Sequence, residues 1–203
     1  MEKAITGISV YKGTMLQQHE DFHKVFPVFL EKYRPSRILE IGTGAGGFTH
    51  FLRDTLNELG MQNTPIKSYD INHNPYHDRL NEMENLTISS ENLFGHGNDY
   101  ILVKQDIIVP YIQSEGRTLV VCDGGNKVKE FNQISEYLKP GDIIMAHDYC
   151  SDLQNFQENY YDKIWNWCEI NDNDIKEACE KYNLESIEKD SFDKIVWVCK
   201  IKK

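Results

Sequence analysis

Apolar residues follow two alternating patterns along most of the chain. Short apolar runs predict strands at RILEI (37–41), TLVVCD (118–123) and IIMAHD (143–148), and IKSYD (66–70) is predicted as a further strand that ends in a carboxylate. Between them, apolar residues recur every three or four positions, which predicts helices over 21–33, 48–59 and 128–138. Strands that alternate with helices indicate a parallel sheet with helices on both faces, so the predicted fold class is α/β.

The remaining segments carry weaker patterns. Residues 71–99 are polar and predict a short helix and a long loop, within which NLTIS (85–89) fits a minor strand. YILVKQD (100–106) predicts the third strand of the sheet, with TISSEN (87–92) as the alternative end of that strand. Helices are predicted over 154–170 and 174–184, followed by an antiparallel hairpin of LESIEK (184–189) and KIVWVCKI (194–201).

Length and charge restrict the class of protein. The 203 residues predict a single domain, and the net charge of −10 argues against general nucleic-acid binding, which needs a basic surface. Five cysteines without a C-x-x-C pair, and an N-terminus without an apolar signal region, predict a cytoplasmic protein. No apolar run approaches the roughly 20 residues of a membrane-spanning helix, so no membrane partner is expected.

The segment RILEIGTGAGGF (37–48) places four glycines within six positions directly after a predicted strand. Glycine permits sharp turns and close approach of the backbone, and ligands of open α/β sheets bind at the carboxyl ends of the strands. Two ligand-binding patterns fit these residues. A dinucleotide fingerprint uses Gly42, Gly44 and Gly47, whereas an acidic-x-G-x-G-x-G pattern uses Glu40, Gly42, Gly44 and Gly46. The glycines alone do not decide between them.

Carboxylates at the predicted strand ends favour the second pattern. Glu40 would repel a pyrophosphate but suits a ligand with cationic amino and sulfonium groups. Asp70 ends the next predicted strand, where it can accept hydrogen bonds from ribose hydroxyls, and Asp106 ends YILVKQD, where it can bind an adenine amino group. The alternative is that Glu40 and Asp70 only cap the helices that follow them.

The segments ILEIGTGAGG, SYDIN and VKQD together resemble those of class I S-adenosylmethionine-dependent methyltransferases. Gly13, Gln17 and Asp21 also keep the G-x-x-x-Q-x-x-x-D spacing of the cephalosporin hydroxylase / rhamnosyl O-methyltransferase family. LKPGDIIMAHDY resembles a segment of small-molecule O-methyltransferases. The resemblance implies a Rossmann-like core over 36–203, preceded by a cap and helix over 1–35, with a seven-stranded, mostly parallel sheet of order 3-2-1-4-5-7-6. It implies S-adenosylmethionine as cofactor, held by Gln17, Glu40, Gly42, Thr43, Gly44, Gly46, Gly47, Asp70, Asp106 and Asp123.

Asp123, His147 and Asp148 end adjacent predicted strands and form the candidate chemical centre. In related metal-dependent methyltransferases, carboxylates at such strand ends hold Mg²⁺, so the resemblance implies a metal site at these three residues. Alternatively, His147 is a general base beside Asp148, or both only stabilise a corner of the fold. The family's D-x-D-H is replaced by DGGNK (123–127), and His147 stands where an acidic residue is common.

The sequence therefore predicts a methyltransferase that O-methylates a small molecule, such as a sugar or a secondary metabolite. An NAD(P)-dependent oxidoreductase shares the glycine loop and is the first alternative. The second is a non-catalytic module that binds the cofactor, which the departure at DGGNK supports. The aromatic residues near the end of the chain are expected to pack against the sheet, with an acceptor pocket as the alternative; they are Tyr149, Tyr160, Tyr161, Trp165 and Trp167. Whether the chain forms a homo-oligomer stays open.

Overall fold

A seven-stranded sheet organises the protein, as a computed structural model of residues 9–95 and 100–203 shows. The strands are β1 (Ser9–Tyr11), β2 (Thr14–Leu16), β3 (Arg37–Ile41), β4 (Ile66–Tyr69), β5 (Leu86–Ser89), β6 (Thr118–Cys122), β7 (Ile143–Ala146), β8 (Leu184–Ser186) and β9 (Val198–Lys202). β1 and β2 form a separate hairpin, and the main sheet has the order β5-β4-β3-β6-β7-β9-β8. This is the predicted order 3-2-1-4-5-7-6. β3 to β7 pair in parallel, and β9 runs antiparallel to both of its neighbours.

Helices cover both faces of the sheet. They are α1 (Phe22–Tyr33), α2 (Gly47–Glu58), α3 (Pro75–Leu80), α4 (Gln105–Gln113), α5 (Lys127–Ile134), α6 (Leu153–Asn155), α7 (Asp172–Tyr182) and α8 (Lys189–Asp193). Side chains of α1, α2, α3 and α8 belong to one apolar core, and those of α4, α5 and α7 belong to the other. None of the helices in the described ranges combines the length and apolar character that crossing a bilayer requires.

Both faces of the central strands are buried, which explains their continuous apolar sequences. Successive side chains of a strand point to opposite faces, so Ile38 belongs to the first core and Leu39 to the second. A parallel sheet covered on both sides therefore needs apolar residues at adjacent positions. Arg37 and Glu40 are the buried polar residues within RILEI, and the role of Glu40 is described below.

Two sequence-based predictions of elements are wrong. The third strand is β5 within NLTIS, and the last two residues of YILVKQD, the segment predicted as that strand, instead begin helix α4. Ile108 and Ile112, four positions apart, are both buried against the second core, which is the spacing of a helix. Asp106 therefore lies in the first turn of α4 and is exposed, away from any strand end.

The prediction of a helix over 154–170 is also wrong. The helix is reduced to α6 and one turn of π-helix at Phe156–Tyr160, after which the chain is irregular. The predicted closing antiparallel pair is confirmed as β8 and β9, although α8 interrupts the connection between them. Residues 1–8 of the predicted cap and 96–99 of the predicted loop lie outside the described residues.

Candidate active site

The glycine loop between β3 and α2 packs against its own chain. A Cβ atom on Gly42 would stand 2.1 Å from the carbonyl oxygen of Asp123, and one on Gly47 would stand 2.5 Å from that of Met15. A Cβ on Gly46 would meet Leu80. By contrast, Gly44 has φ +56° and no atom within 4 Å of its Cβ position. Neighbouring segments therefore require glycine at positions 42, 46 and 47, whereas Gly44 faces open space, and contact of these glycines with a cofactor stays a prediction.

Two cavities open at the carboxyl ends of the strands. The larger, of about 480 Å³, is lined by the segment after β2, the glycine loop, the ends of β6 and β7, and residues 167–169. The smaller, of about 190 Å³, is lined by the ends of β4 and β5 and by Tyr100. Gly42 lines both cavities, so the first turn of the glycine loop forms the wall between them.

Asp70 lines the smaller cavity, as the sequence predicts for a ribose-binding carboxylate. In this structure its two oxygens accept hydrogen bonds from the backbone N–H groups of Gly44 and Asn72, both at 2.8 Å. Glu91 and Asn92, at the end of TISSEN, line the same cavity. Asp106 is not among the described residues that line either cavity, because the strand that would have placed it there is a helix.

Glu40 lies beneath the glycine loop and does not face either cavity. Its side chain is 1% exposed and accepts a hydrogen bond of 2.7 Å from the hydroxyl of Thr49 in α2. Burial raises the pKa of the Glu40 carboxyl to about 7. The carboxyl thus joins β3 to α2, and the contact of Glu40 with a cofactor stays a prediction. Thr43, which lines the larger cavity, is bound to the hydroxyl of Ser68 at 2.5 Å.

Asp123, His147 and Asp148 converge at the ends of β6 and β7, as predicted. Nδ1 of His147 lies 3.2 Å from Oδ1 of Asp123 and 3.7 Å from Oδ1 of Asp148. A carboxylate can only accept, so Nδ1 carries the proton of the shorter contact. The three residues offer ligand atoms that lie within 4.8 Å of one another.

Lys127 is the member of this cluster that the sequence interpretation missed. Its Nζ lies 2.8 Å from Oε2 of Glu169, 3.0 Å from Oδ2 of Asp148 and 3.5 Å from Oδ1 of Asp123. Burial lowers the pKa of the Lys127 ammonium, but Asp123 and Asp148 outweigh it and leave this pKa above its usual value. The sequence could have identified Lys127 by its position, because it begins a helix four residues after Asp123 at the end of β6.

His147 is enclosed by aromatic rings. Its imidazole stacks on the indole of Trp197, with ring centres 4.7 Å apart, and lies 5.3 Å from the ring of Trp165. Nε2 is buried and has no hydrogen-bond partner among the described residues. Burial lowers the pKa of His147, yet Asp123 and Asp148 outweigh it and raise this pKa overall. The enclosed ring can therefore orient the carboxylates, whereas its second nitrogen does not reach solvent.

Two further side chains hold the carboxylates in place. Nε1 of Trp165 donates to Oδ1 of Asp148 at 2.6 Å. The buried amide of Gln18 donates to Oδ2 of Asp123 at 3.3 Å and accepts from Nε1 of Trp197 at 2.9 Å. Gln17, the predicted residue, lines the larger cavity but is exposed. The signal that was missed is the alternation of buried and exposed side chains that continues from β2 to Gln18. Thr14, Leu16 and Gln18 are the buried positions, so Gln18 and not Gln17 faces the interior.

The departure at DGGNK has a structural reason. A Cβ on Gly124 would stand 2.3 Å from a carboxylate oxygen of Glu130, which is fully buried. Glu130 accepts hydrogen bonds of 3.1 Å from the backbone N–H groups of Gly124 and Asn126. The loop therefore wraps around this carboxylate, and the wrapping brings Lys127 to the cluster.

Comparisons with known proteins agree on the fold. No protein-family model and no curated protein matches the sequence. The chain matches the apo structure of CmcI with a TM-score of 0.63 and 14% identity, covering 96% of this chain and 76% of that one. A structure of CmcI with Mg and S-adenosylmethionine gives a TM-score of 0.59 and 15% identity, covering 96% and 77%.

The likeness extends to other methyltransferases. Human N-acetylserotonin methyltransferase in complex with S-adenosylmethionine gives a TM-score of 0.50 and 10% identity, covering 89% of this chain and 51% of that one. Identities at this level carry the fold and not the chemistry. With its seven-stranded mixed sheet and helices on both faces, the chain has the Rossmann-like fold of S-adenosylmethionine-dependent methyltransferases.

Proposed function

We propose that this chain is an S-adenosylmethionine-dependent methyltransferase that methylates a hydroxyl group of a small molecule. The observation that carries the proposal is the pair of cavities meeting at Gly42, one beside Asp70 and the other beside the charged cluster. The smaller cavity suits the adenosine half of the cofactor, and the larger one suits the methionine half and the acceptor. The fold shared with CmcI and human N-acetylserotonin methyltransferase supports this assignment.

The chain's own residues would mainly position the acceptor. Bound cofactor supplies an electrophilic methyl group on a sulfonium, so in-line placement of an acceptor oxygen accounts for much of the acceleration. Asp123 lies at the larger cavity and is partly exposed, so it is our candidate for accepting the hydroxyl proton. His147 and Gln18 orient its two oxygens. His147 and Asp148 thus act through Asp123 and Lys127, and we assign them as positioning residues.

The larger cavity also suggests the kind of acceptor. Met15, Phe48 and Trp167 give it apolar lining in addition to the charged residues. Such a cavity suits a small molecule with one apolar face and at least one hydroxyl group. The protein's acidic character disfavours a polyanionic acceptor such as a nucleic acid.

Calorimetric titration with S-adenosylhomocysteine and with NADH tests the cofactor. We expect S-adenosylhomocysteine to bind and NADH not to bind. Asp70→Ala should weaken binding by about tenfold or more, because a charged hydrogen-bond acceptor at the smaller cavity is lost. Asp106→Ala is the matched control, since this exposed carboxylate lines neither cavity and its loss should change nothing.

Binding of NADH instead of S-adenosylhomocysteine would contradict the proposal and favour an oxidoreductase. Methyl transfer from labelled S-adenosylmethionine to a panel of hydroxylated compounds then separates an enzyme from a cofactor-binding module. Transfer with Asp123→Asn reduced and Asp106→Asn unchanged is the expected outcome. Binding without transfer to any member of the panel would favour the module.

A further inference from the structure

An ammonium group fills the space between the three carboxylates of the candidate active site. Nζ of Lys127 contacts Asp148 and Glu169 at 3.0 and 2.8 Å and lies 3.5 Å from Asp123. It also donates to the carbonyl of Gly124 at 3.3 Å. The side chain is only 6% exposed, so this positive charge is held inside the cluster and is not free to move into solvent.

These contacts do not fit a bound Mg²⁺. The ion takes oxygen ligands at about 2.0–2.1 Å in near-octahedral geometry, usually with several waters. An ion bound by Asp123 and Asp148 would lie against the ammonium of Lys127, and two positive charges repel strongly in a buried site. Nδ1 of His147 is unsuited as a ligand as well, because it carries the proton of the hydrogen bond to Asp123.

We propose that Lys127 takes the place of a divalent cation in this cluster, so that the methyl transfer proposed above needs no metal. The ammonium pairs with Asp148 and Glu169 and lies beside Asp123 at the cavity, so it occupies the position that a metal bound by these carboxylates would take. CmcI, which shares the fold, has been solved with Mg and S-adenosylmethionine. This chain would differ in carrying its cation as a side chain.

Metal binding to a variant without the ammonium tests the proposal. Mn²⁺ is the probe, because it accepts the oxygen ligands of Mg²⁺ and can be followed by calorimetry and electron paramagnetic resonance. We expect Lys127→Met to bind one Mn²⁺ at least about tenfold more tightly than the unaltered protein, since its carboxylates have lost their cation. Lys129→Met is the matched control, because Lys129 is exposed on the same helix, and it should behave as the unaltered protein.

Equal Mn²⁺ binding by the unaltered protein and Lys127→Met, at one ion per chain, would overturn the proposal. If Lys127→Met does not fold, the unaltered protein still decides. After dialysis against EDTA its thermal unfolding midpoint should not rise when Mg²⁺ is added, and a saturable rise would count against the proposal.

The activity measurement comes last, because it rests on the proposed function. EDTA should leave turnover by the unaltered protein unchanged, and turnover that EDTA abolishes and Mg²⁺ restores would overturn the inference. Failure of the proposed function is recognised separately, by the absence of S-adenosylhomocysteine binding. The metal titrations require neither cofactor binding nor turnover, so they report on Lys127 in either case.

Discussion

At the scale of single residues, the glycines after β3 differ in purpose although the sequence presents them as one motif. Gly42 is held against the backbone of Asp123, whereas Gly44 faces open space at the cavity. Spacing alone cannot separate these cases, because the contact of Gly42 is made by a residue more than 80 positions away. The same holds for Lys127, whose carboxylate partners Asp148 and Glu169 come from other parts of the chain.

Alanine substitutions in the glycine loop should therefore have unequal effects. Gly42→Ala should destabilise the protein by more than about 3 kcal/mol, because its Cβ would overlap a backbone carbonyl that cannot move aside. Gly44→Ala should cost only about 1 kcal/mol, the strain of a left-handed conformation without a clash. Urea denaturation of both variants measures the difference, and equal losses would contradict it.

The buried carboxyl of Glu40 should make stability depend on pH. Its pKa in the folded protein is about 7, above the ordinary value near 4.5, so the folded state holds the proton more tightly than the unfolded state. Its contribution is therefore most favourable below pH 4.5, falls as the pH rises towards 7, and stays low above that. The loss is on the order of 3 kcal/mol.

Denaturation at pH 5 and pH 7.5 checks this dependence. Glu40→Gln keeps an acceptor for Thr49 but cannot ionise, so it should remove most of the loss. Glu82→Gln, at an exposed position, is the control and should retain it. A Glu40→Gln variant with the same pH dependence as the unaltered protein would show that other groups cause it.

At the scale of elements, the sequence predicts the strands of the sheet centre well because both of their faces are buried. β3, β6 and β7 appear as apolar runs and β4 appears as IKSYD, and all four lie where the sequence predicts them. The edge of the sheet is harder, since β5 has four residues and alternates between apolar and polar positions. The prediction of a helix over 154–170 failed for another reason. The aromatic spacing of these residues resembles a helix, but Trp165 is directed to Asp148 instead.

The segment after β2 gives a prediction at this scale. Gln18→Ala should destabilise the protein by about 1–3 kcal/mol, because the buried indole of Trp197 and the partly buried carboxylate of Asp123 lose their partner. Gln17 is exposed, so the free energy of unfolding of Gln17→Ala should stay within about 0.5 kcal/mol of that of the unaltered protein. Chemical denaturation compares the two. Similar losses would mean that this segment is not anchored through Gln18.

At the scale of the whole molecule, strand order determines which side chains can meet. β6 and β7 are neighbours, and β9 inserts antiparallel beside β7, so Asp123, His147 and Trp197 come together from distant parts of the sequence. The resemblance to methyltransferases predicted this order, and hence the convergence of Asp123, His147 and Asp148. It did not predict Lys127, because the family pattern has no lysine in the segment that DGGNK replaces.

Because Lys127 is part of the chain, the positive charge of this cluster does not depend on a supply of metal ions. A metal ion is exchanged with its surroundings, so the fraction of sites that it fills follows its free concentration. An ammonium on the chain is present once in every folded molecule and cannot be removed by dilution or by a chelator. A cluster charged in this way is complete as soon as the protein has folded, whatever the metal content around it.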